Sequence, residues 1–275
     1  MNARAVAAWS GACVVIALVT TNPAYKAAVV AAALATLAAT VGLRRMTRLL
    51  VAVGLIAAFD AVLNFASAHF GTTVLFTLPG TLPALGGAYT FEALAFGITG
   101  GLTIAAALLA AAPFSLLLAP HEVMDALPPV LARSGTAIAA SLNLVPAIAR
   151  TFTEVSEAQR LRGWRPRGPA TWAEVVVPVV LTSAEGSIQL AESMEARGFG
   201  SGRRTAFARP GMDLAGWAVV LAAGAAVALF VLARAHGWAA DWFAYPTFHL
   251  PSVDPRAAAA CLLLFAPVVA WRRRA

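Results

Sequence analysis

The sequence predicts an all-α polytopic membrane protein, with about six transmembrane helices plus cytoplasmic amphipathic helices. Three observations predict it. Of the 275 residues, 60% are hydrophobic and 12% charged, against roughly 25% charged in a soluble globular domain. The apolar residues collect in stretches long enough to cross a hydrocarbon core, which takes about 20 residues of helix. The charges collect as well: 18 of the 33 fall between residues 120 and 212.

The first span, 5–22, ends at the helix-breaking turn Thr21-Asn22-Pro23. Met1–Thr20 could pass for a signal peptide, but the apolar segments that follow make it a first membrane helix. The second span, 27–43, runs into Arg44, Arg45 and Arg48, and the third covers 49–66. Residues 67–90 carry no charge and are punctuated by Gly71, Pro79, Gly80, Pro83, Gly86 and Gly87. This stretch is expected to dip toward the membrane or lie on its surface. The fourth span, 91–119, is long enough to tilt, with Pro113 as an expected kink. Spans 213–235 and 257–271 complete the set. Between them, loop 236–256 holds Trp238, Trp242, Phe243, Tyr245 and Phe248, the aromatic content of a membrane interface.

Three regions follow: an N-terminal transmembrane region of about four spans (1–119), a cytoplasmic region of amphipathic helices (120–212) and a C-terminal transmembrane region of about two spans (213–275). With both termini in the cytoplasm, 17 of the 20 Lys and Arg lie inside, leaving Lys26, Arg234 and Arg256 outside.

Within the charged region, Leu131, Ile138, Leu142, Val145, Ile148, Phe152 and Val155 recur at helical spacing after Pro128-Pro129. Glu154, Glu157 and Arg160 are spaced for same-face ion pairs, and Leu161-Arg162-Gly163-Trp164 with Pro166 stops the helix. A second helix begins around Thr171 and is expected to bend or split at Pro178 and Gly186. It ends as the first does, in Met194-Glu195-Ala196-Arg197-Gly198-Phe199-Gly200. Glycine past the last turn takes the left-handed conformation that closes a helix, and an arginine there faces the negative end of the helix dipole. A single ending of this kind is explained by capping alone. Two of them in the one charged segment of a membrane protein point to a surface gripped from the water, since guanidinium suits bidentate recognition of carboxylates.

These residues resemble the transmembrane (T) component of energy-coupling factor (ECF) transporters, the EcfT/CbiQ-like family of ATP-driven vitamin and metal-ion importers. The resemblance rests on Glu-Ala-Gln-Arg-Leu-Arg-Gly (157–163), Glu-Ser-Met-Glu-Ala-Arg-Gly-Phe-Gly (192–200), Thr-Asn-Pro (21–23) and Leu-Pro-Pro-Val-Leu (127–131), and it covers nearly the whole chain. The second motif has the family's alanine-arginine-glycine form; the first has Leu161 at that alanine. The resemblance implies a non-catalytic scaffold, multi-pass in a bacterial cytoplasmic membrane and without a cofactor. Its coupling helices would bind two cytoplasmic ATPase subunits of ABC type, and it would hold a separate membrane S component that selects the substrate. By position, Arg162, Gly163, Ala196, Arg197 and Gly198 are the ATPase-docking residues.

The remaining residues offer little chemistry of their own. Lys26 is the only lysine, so a Gly-x-x-x-x-Gly-Lys-Ser/Thr phosphate loop is impossible, and no basic run interleaved with aromatics suggests nucleic acid. Cys13 and Cys261 lie in apolar stretches as small hydrophobes, and His69, His121, His236 and His249 lack metal-ligand spacing and read as interfacial or solvent-facing. Glu122 and Asp125 are expected to cap a helix. Asp60 and Asn64 share a face of the third span, where an acid is a functional-site candidate and a helix–helix polar contact is the leading reading. Gly97-x-x-x-Gly101 permits close helix approach, for S-component docking or for internal packing. The alternative function, a self-contained secondary transporter or channel, calls for broken helices with converging polar groups at mid-membrane. A membrane enzyme calls for an acid, base or metal constellation that these residues do not assemble.

Overall fold

The structure is a computed structural model describing residues 2–41, 43–79, 86–118, 122, 132–199 and 211–271. The chain forms two compact units, one made of residues 1–123 with 212–275 and the other of 124–211.

In the first unit, α1 (Ala3–Val19) and α2 (Pro23–Thr40) start alike: Asn2 and Asn22 each accept, on the side-chain oxygen, the backbone N–H two residues on. Pro23 at the first position of α2 needs no N–H there, so the Thr-Asn-Pro turn ends one helix and begins the next. Next come α3 (Leu43–Ser67), the antiparallel strands β1 (Val74–Leu78) and β2 (Gly87–Thr90), and α4 (Phe91–Leu117), which runs through Pro113 as one helix. The core is built of small residues: Ala5, Ala12 and Ala17 of α1, Ala32 and Ala33 of α2, and Ala93, Ala106 and Ala110 of α4 are buried. Small side chains let helices approach closely where lipid offers no hydrophobic drive for association.

α7 (Leu214–Ala235) packs against α1 and against α8 (Pro255–Leu262); a 3₁₀ turn, Leu263–Phe265, joins α8 to α9 (Ala266–Trp271). The last expected span is therefore not one regular helix. Pro267 has no N–H for the Leu263 carbonyl, which takes the N–H of Ala266 instead and tightens the backbone into the turn. Trp9 donates its indole N–H to the Leu264 carbonyl at 2.8 Å, and Tyr25 meets Phe230 edge to face.

The second unit contains α5 (Ala132–Leu161), a 3₁₀ turn (Pro169–Trp172) and α6 (Ala173–Ala196). The expected split of α6 does not occur: it continues through Pro178 and Gly186. Proline deprives the carbonyl four residues back of its donor. Here that carbonyl, of Glu174, accepts the side-chain amide of Gln159 from α5 at 3.2 Å. The same bond ties the two helices together.

Among the described residues five helices are long and apolar enough to cross a membrane: Pro23–Thr40, Met46–Ser67, Phe91–Leu117, Ala170–Ala196 and Leu214–Ala235. Ala3–Val19 and Pro255–Trp271 are shorter apolar helices. The protein is an all-α polytopic membrane protein, with one small hairpin among the described residues. The helix expected to be the second amphipathic one also meets the length and hydropathy of a span, because its exposed face carries Val176, Val177, Val180, Leu181 and Ile188.

Candidate functional site

Both arginine-glycine endings close with the same pair of backbone bonds. At the end of α5, the Trp164 N–H reaches back to the Gln159 carbonyl and the Gly163 N–H to that of Arg160, each at 3.0 Å. At the end of α6, the Phe199 N–H reaches Met194 at 2.9 Å and the Gly198 N–H reaches Glu195 at 2.8 Å. This is the Schellman arrangement, which needs a left-handed residue at its hinge. Gly163 at φ +86° and Gly198 at φ +74° supply it. Arg162 and Arg197 thus occupy the same capping position, with Leu161 and Ala196 one residue before. Both arginines are exposed, and among the described residues neither has an ion-pair partner.

The residue after each glycine distinguishes the endings. Trp164 is 7% exposed, packed with Val155, Val175 and Val179, and donates its indole N–H to the Thr171 carbonyl at 2.8 Å. Trp172 stacks on Phe152 and meets Trp164 edge to face, so the elbow between α5 and α6 is an aromatic-filled joint. Phe199, by contrast, is 53% exposed, and Leu161 beside Arg162 is 91% exposed. Glu154, Glu157 and Arg160, spaced for ion pairs, form none among the described residues; they are exposed, where water competes well for charge.

The other expected positions lie in the first unit. A Cβ on Gly97 or Gly101 would come within 2.5 Å of the carbonyl oxygens of Ala61 and Ala57, so these glycines face the α3 backbone. Asn64 donates to the Asp60 carbonyl at 3.0 Å, and the Asp60 carboxylate turns toward Gly100. Of the two readings for His69, interfacial or solvent-facing, the solvent-facing one does not hold: the residue is half-buried, its ring meets Tyr89 edge to face and its Nδ1 is buried. Cys13 and Cys261 are buried free thiols. The Leu-Pro-Pro-Val-Leu segment, His121, Asp125, Arg203, Arg204, Arg209 and Arg272–Arg274 lie outside the described residues.

Sequence reasoning missed three polar anchors. Glu92, fully buried at the start of α4, accepts the Thr72 and Thr73 hydroxyls and the Thr73 N–H at 3.0–3.2 Å. Lys26 is buried and donates to the Thr103 hydroxyl of α4 at 2.6 Å. Thr21 and Asn22 hold the segment between α7 and α8: Thr21 donates to Asp241 at 3.0 Å and accepts the Trp242 N–H, and Asn22 donates to the Ser252 carbonyl at 2.7 Å. The Thr21 hydroxyl first, and Arg234 at 2.8 Å with it, hold the Asp241 carboxyl below the usual carboxylate range. The sequence signals present were Glu92, the single charge between Arg48 and Glu122 apart from Asp60, Lys26 as the only lysine, and the Thr21-Asn22-Pro23 turn; none of them named a partner. No three His, Cys, Asp or Glu side chains gather at one point among the described residues.

The profile of a family described as CbiQ, cobalt transport protein, matches residues 1–206. No curated protein matches the chain.

Proposed function

Because this chain belongs to the CbiQ cobalt transport protein family, we propose that it is the membrane-embedded coupling scaffold of an ATP-driven ECF-type importer. In this reading two cytoplasmic ATPase subunits of ABC type dock on the two helix endings. Their closure on ATP moves α5 and α6, and the motion passes to a membrane S component that carries the substrate. The family description directs the substrate to a metal ion, cobalt first.

The observation that carries the reading is the identity of the two endings. An exposed arginine adds little to the stability of its own fold. A Schellman lock beneath it nevertheless sets its backbone position twice over, at 162 and at 197, in one compact unit. Such repetition fits a pair of like partners, each offering a carboxylate to a guanidinium fork. The Trp164-filled elbow and the Gln159 bond to the Glu174 carbonyl favour movement of α5 and α6 as one lever. The chain itself supplies no phosphate loop, so ATP hydrolysis belongs to the partners.

The test is charge reversal of both arginines, Arg162→Glu with Arg197→Glu. Both side chains are exposed, so membrane insertion is kept; each reversal at a helix C-terminus costs about 0.3–1 kcal/mol of dipole interaction, so the melting temperature falls only slightly. The ATPase subunits no longer co-purify and metal uptake is lost. If the doubly reversed protein still holds both ATPases and supports uptake, the docking assignment is wrong.

A further inference from the structure

We propose that the β1–β2 hairpin is a membrane-interface foot, seated among lipid headgroups and upper acyl chains. The base of the hairpin is anchored by hydrogen bonds. Thr90 donates to the Phe70 carbonyl at 2.6 Å, the Phe91 N–H bonds to Thr73 at 2.9 Å, and Glu92 grips Thr72 and Thr73. On one face, Tyr89 stacks on its cross-strand partner Phe76 with ring centroids 4.7 Å apart and packs against Phe65 and His69. What this platform presents is apolar: all five residues of β1 are exposed, Val74, Leu75, Phe76 and Leu78 among them, and so is Phe70 just before.

Water does not suit that surface. A solvated edge strand is guarded by charges or proline, and a run of exposed apolar side chains on a free strand invites pairing with other chains. Residues 67–90 contain no charged side chain. The bilayer centre does not suit it either. The outer edge of β1 has no strand beside it among the described residues, and its unpaired N–H and C=O groups need polar partners. The headgroup level meets both demands.

Two further features select lipid over a protein partner. The span that leads into the hairpin is itself apolar and exposed at Leu55, Phe59, Val62 and Leu63, as a lipid-facing helix is. It is also rimmed by aromatics, Phe91 meeting Phe248 edge to face at 4.9 Å, as at a membrane boundary.

The experiment labels the purified full chain with an environment-sensitive NBD fluorophore, at Leu75→Cys in one variant and Phe70→Cys in a second. Cys13 and Cys261 are buried and stay unlabelled. In phosphatidylcholine–phosphatidylglycerol vesicles both labels emit blue-shifted light and lose quenching by aqueous iodide. A nitroxide lipid labelled near the headgroup quenches them more than one labelled near the chain terminus. Water-like emission with full iodide quenching would overturn the proposal, as would stronger quenching from the deep nitroxide. So would a blue shift appearing only when other transporter subunits or a second copy are added, which would place protein on this face. None of these readings depends on ATPase docking.

Discussion

At residue scale, the positions that matter divide by how far away their partners lie. Gly163 and Gly198 could be read directly, because the lock they close joins residues five apart on one helix end. Glu92 and Trp164 could not. Glu92 acts through two threonines on the hairpin, and Trp164 through the Thr171 carbonyl across the elbow. Asp241 belongs with them, since Thr21 is 220 residues away. Its carboxyl titrates lower in the folded protein than in the unfolded chain, where the value is about 3.9. The ionised form therefore stabilises the fold fully at neutral pH, and that contribution fades as pH falls through the folded value. Asp241→Asn is expected to melt lower than wild type near neutral pH, by a small margin because the pair is part-exposed, and the two curves should begin to draw together near pH 4 and meet only below the folded value. Thermal melts across acidic pH check this; a constant offset at all pH values would rule out the linkage.

At the scale of elements, α3 and α4 illustrate what a spacing pattern can and cannot say. Gly97-x-x-x-Gly101 signalled close approach, and the structure puts the backbone of α3 against those two glycines. The intervening Gly100 differs in a way no spacing rule reports: its added Cβ would meet the Asp60 carboxylate at 2.8 Å, a side-chain end that can swing away. Gly97→Ala and Gly101→Ala, which press on backbone, should each cost about 1–3 kcal/mol, and Gly100→Ala less. Melting temperatures of the purified variants in detergent decide; equal losses at all three positions would refute the distinction. The hairpin was hidden for a related reason. Its alternation is weak, Gly and Pro crowd its turn, and β1 is exposed on both faces, so no buried face imposes a period of two.

At the scale of the whole molecule, the family match ends at residue 206, yet the first unit is completed by residues beyond it. Phe230 covers Tyr25, the Leu264 carbonyl receives the Trp9 indole, the Ser252 carbonyl binds Asn22, and the Asp254 N–H reaches the Tyr25 hydroxyl. A chain truncated after residue 211 is expected to insert but to lose cooperative melting, which circular dichroism in detergent would register; an unchanged transition would show that α7–α9 are dispensable to the core. By itself the sequence determined the membrane class, most of the span positions and the glycine closure of both Arg-Gly endings, because each depends on composition or on neighbours within one helical turn. Only the tertiary structure decided that α6 survives Pro178, that the uncharged stretch before α4 pairs as a β-hairpin, and that Trp164 and Phe199 place otherwise identical endings in different surroundings. Those outcomes depend on partners distant in sequence: a side-chain amide lent to an orphaned carbonyl, a carboxylate reaching two threonines, a pocket of valines closing on one indole. One-dimensional patterns do not encode which distant groups will meet.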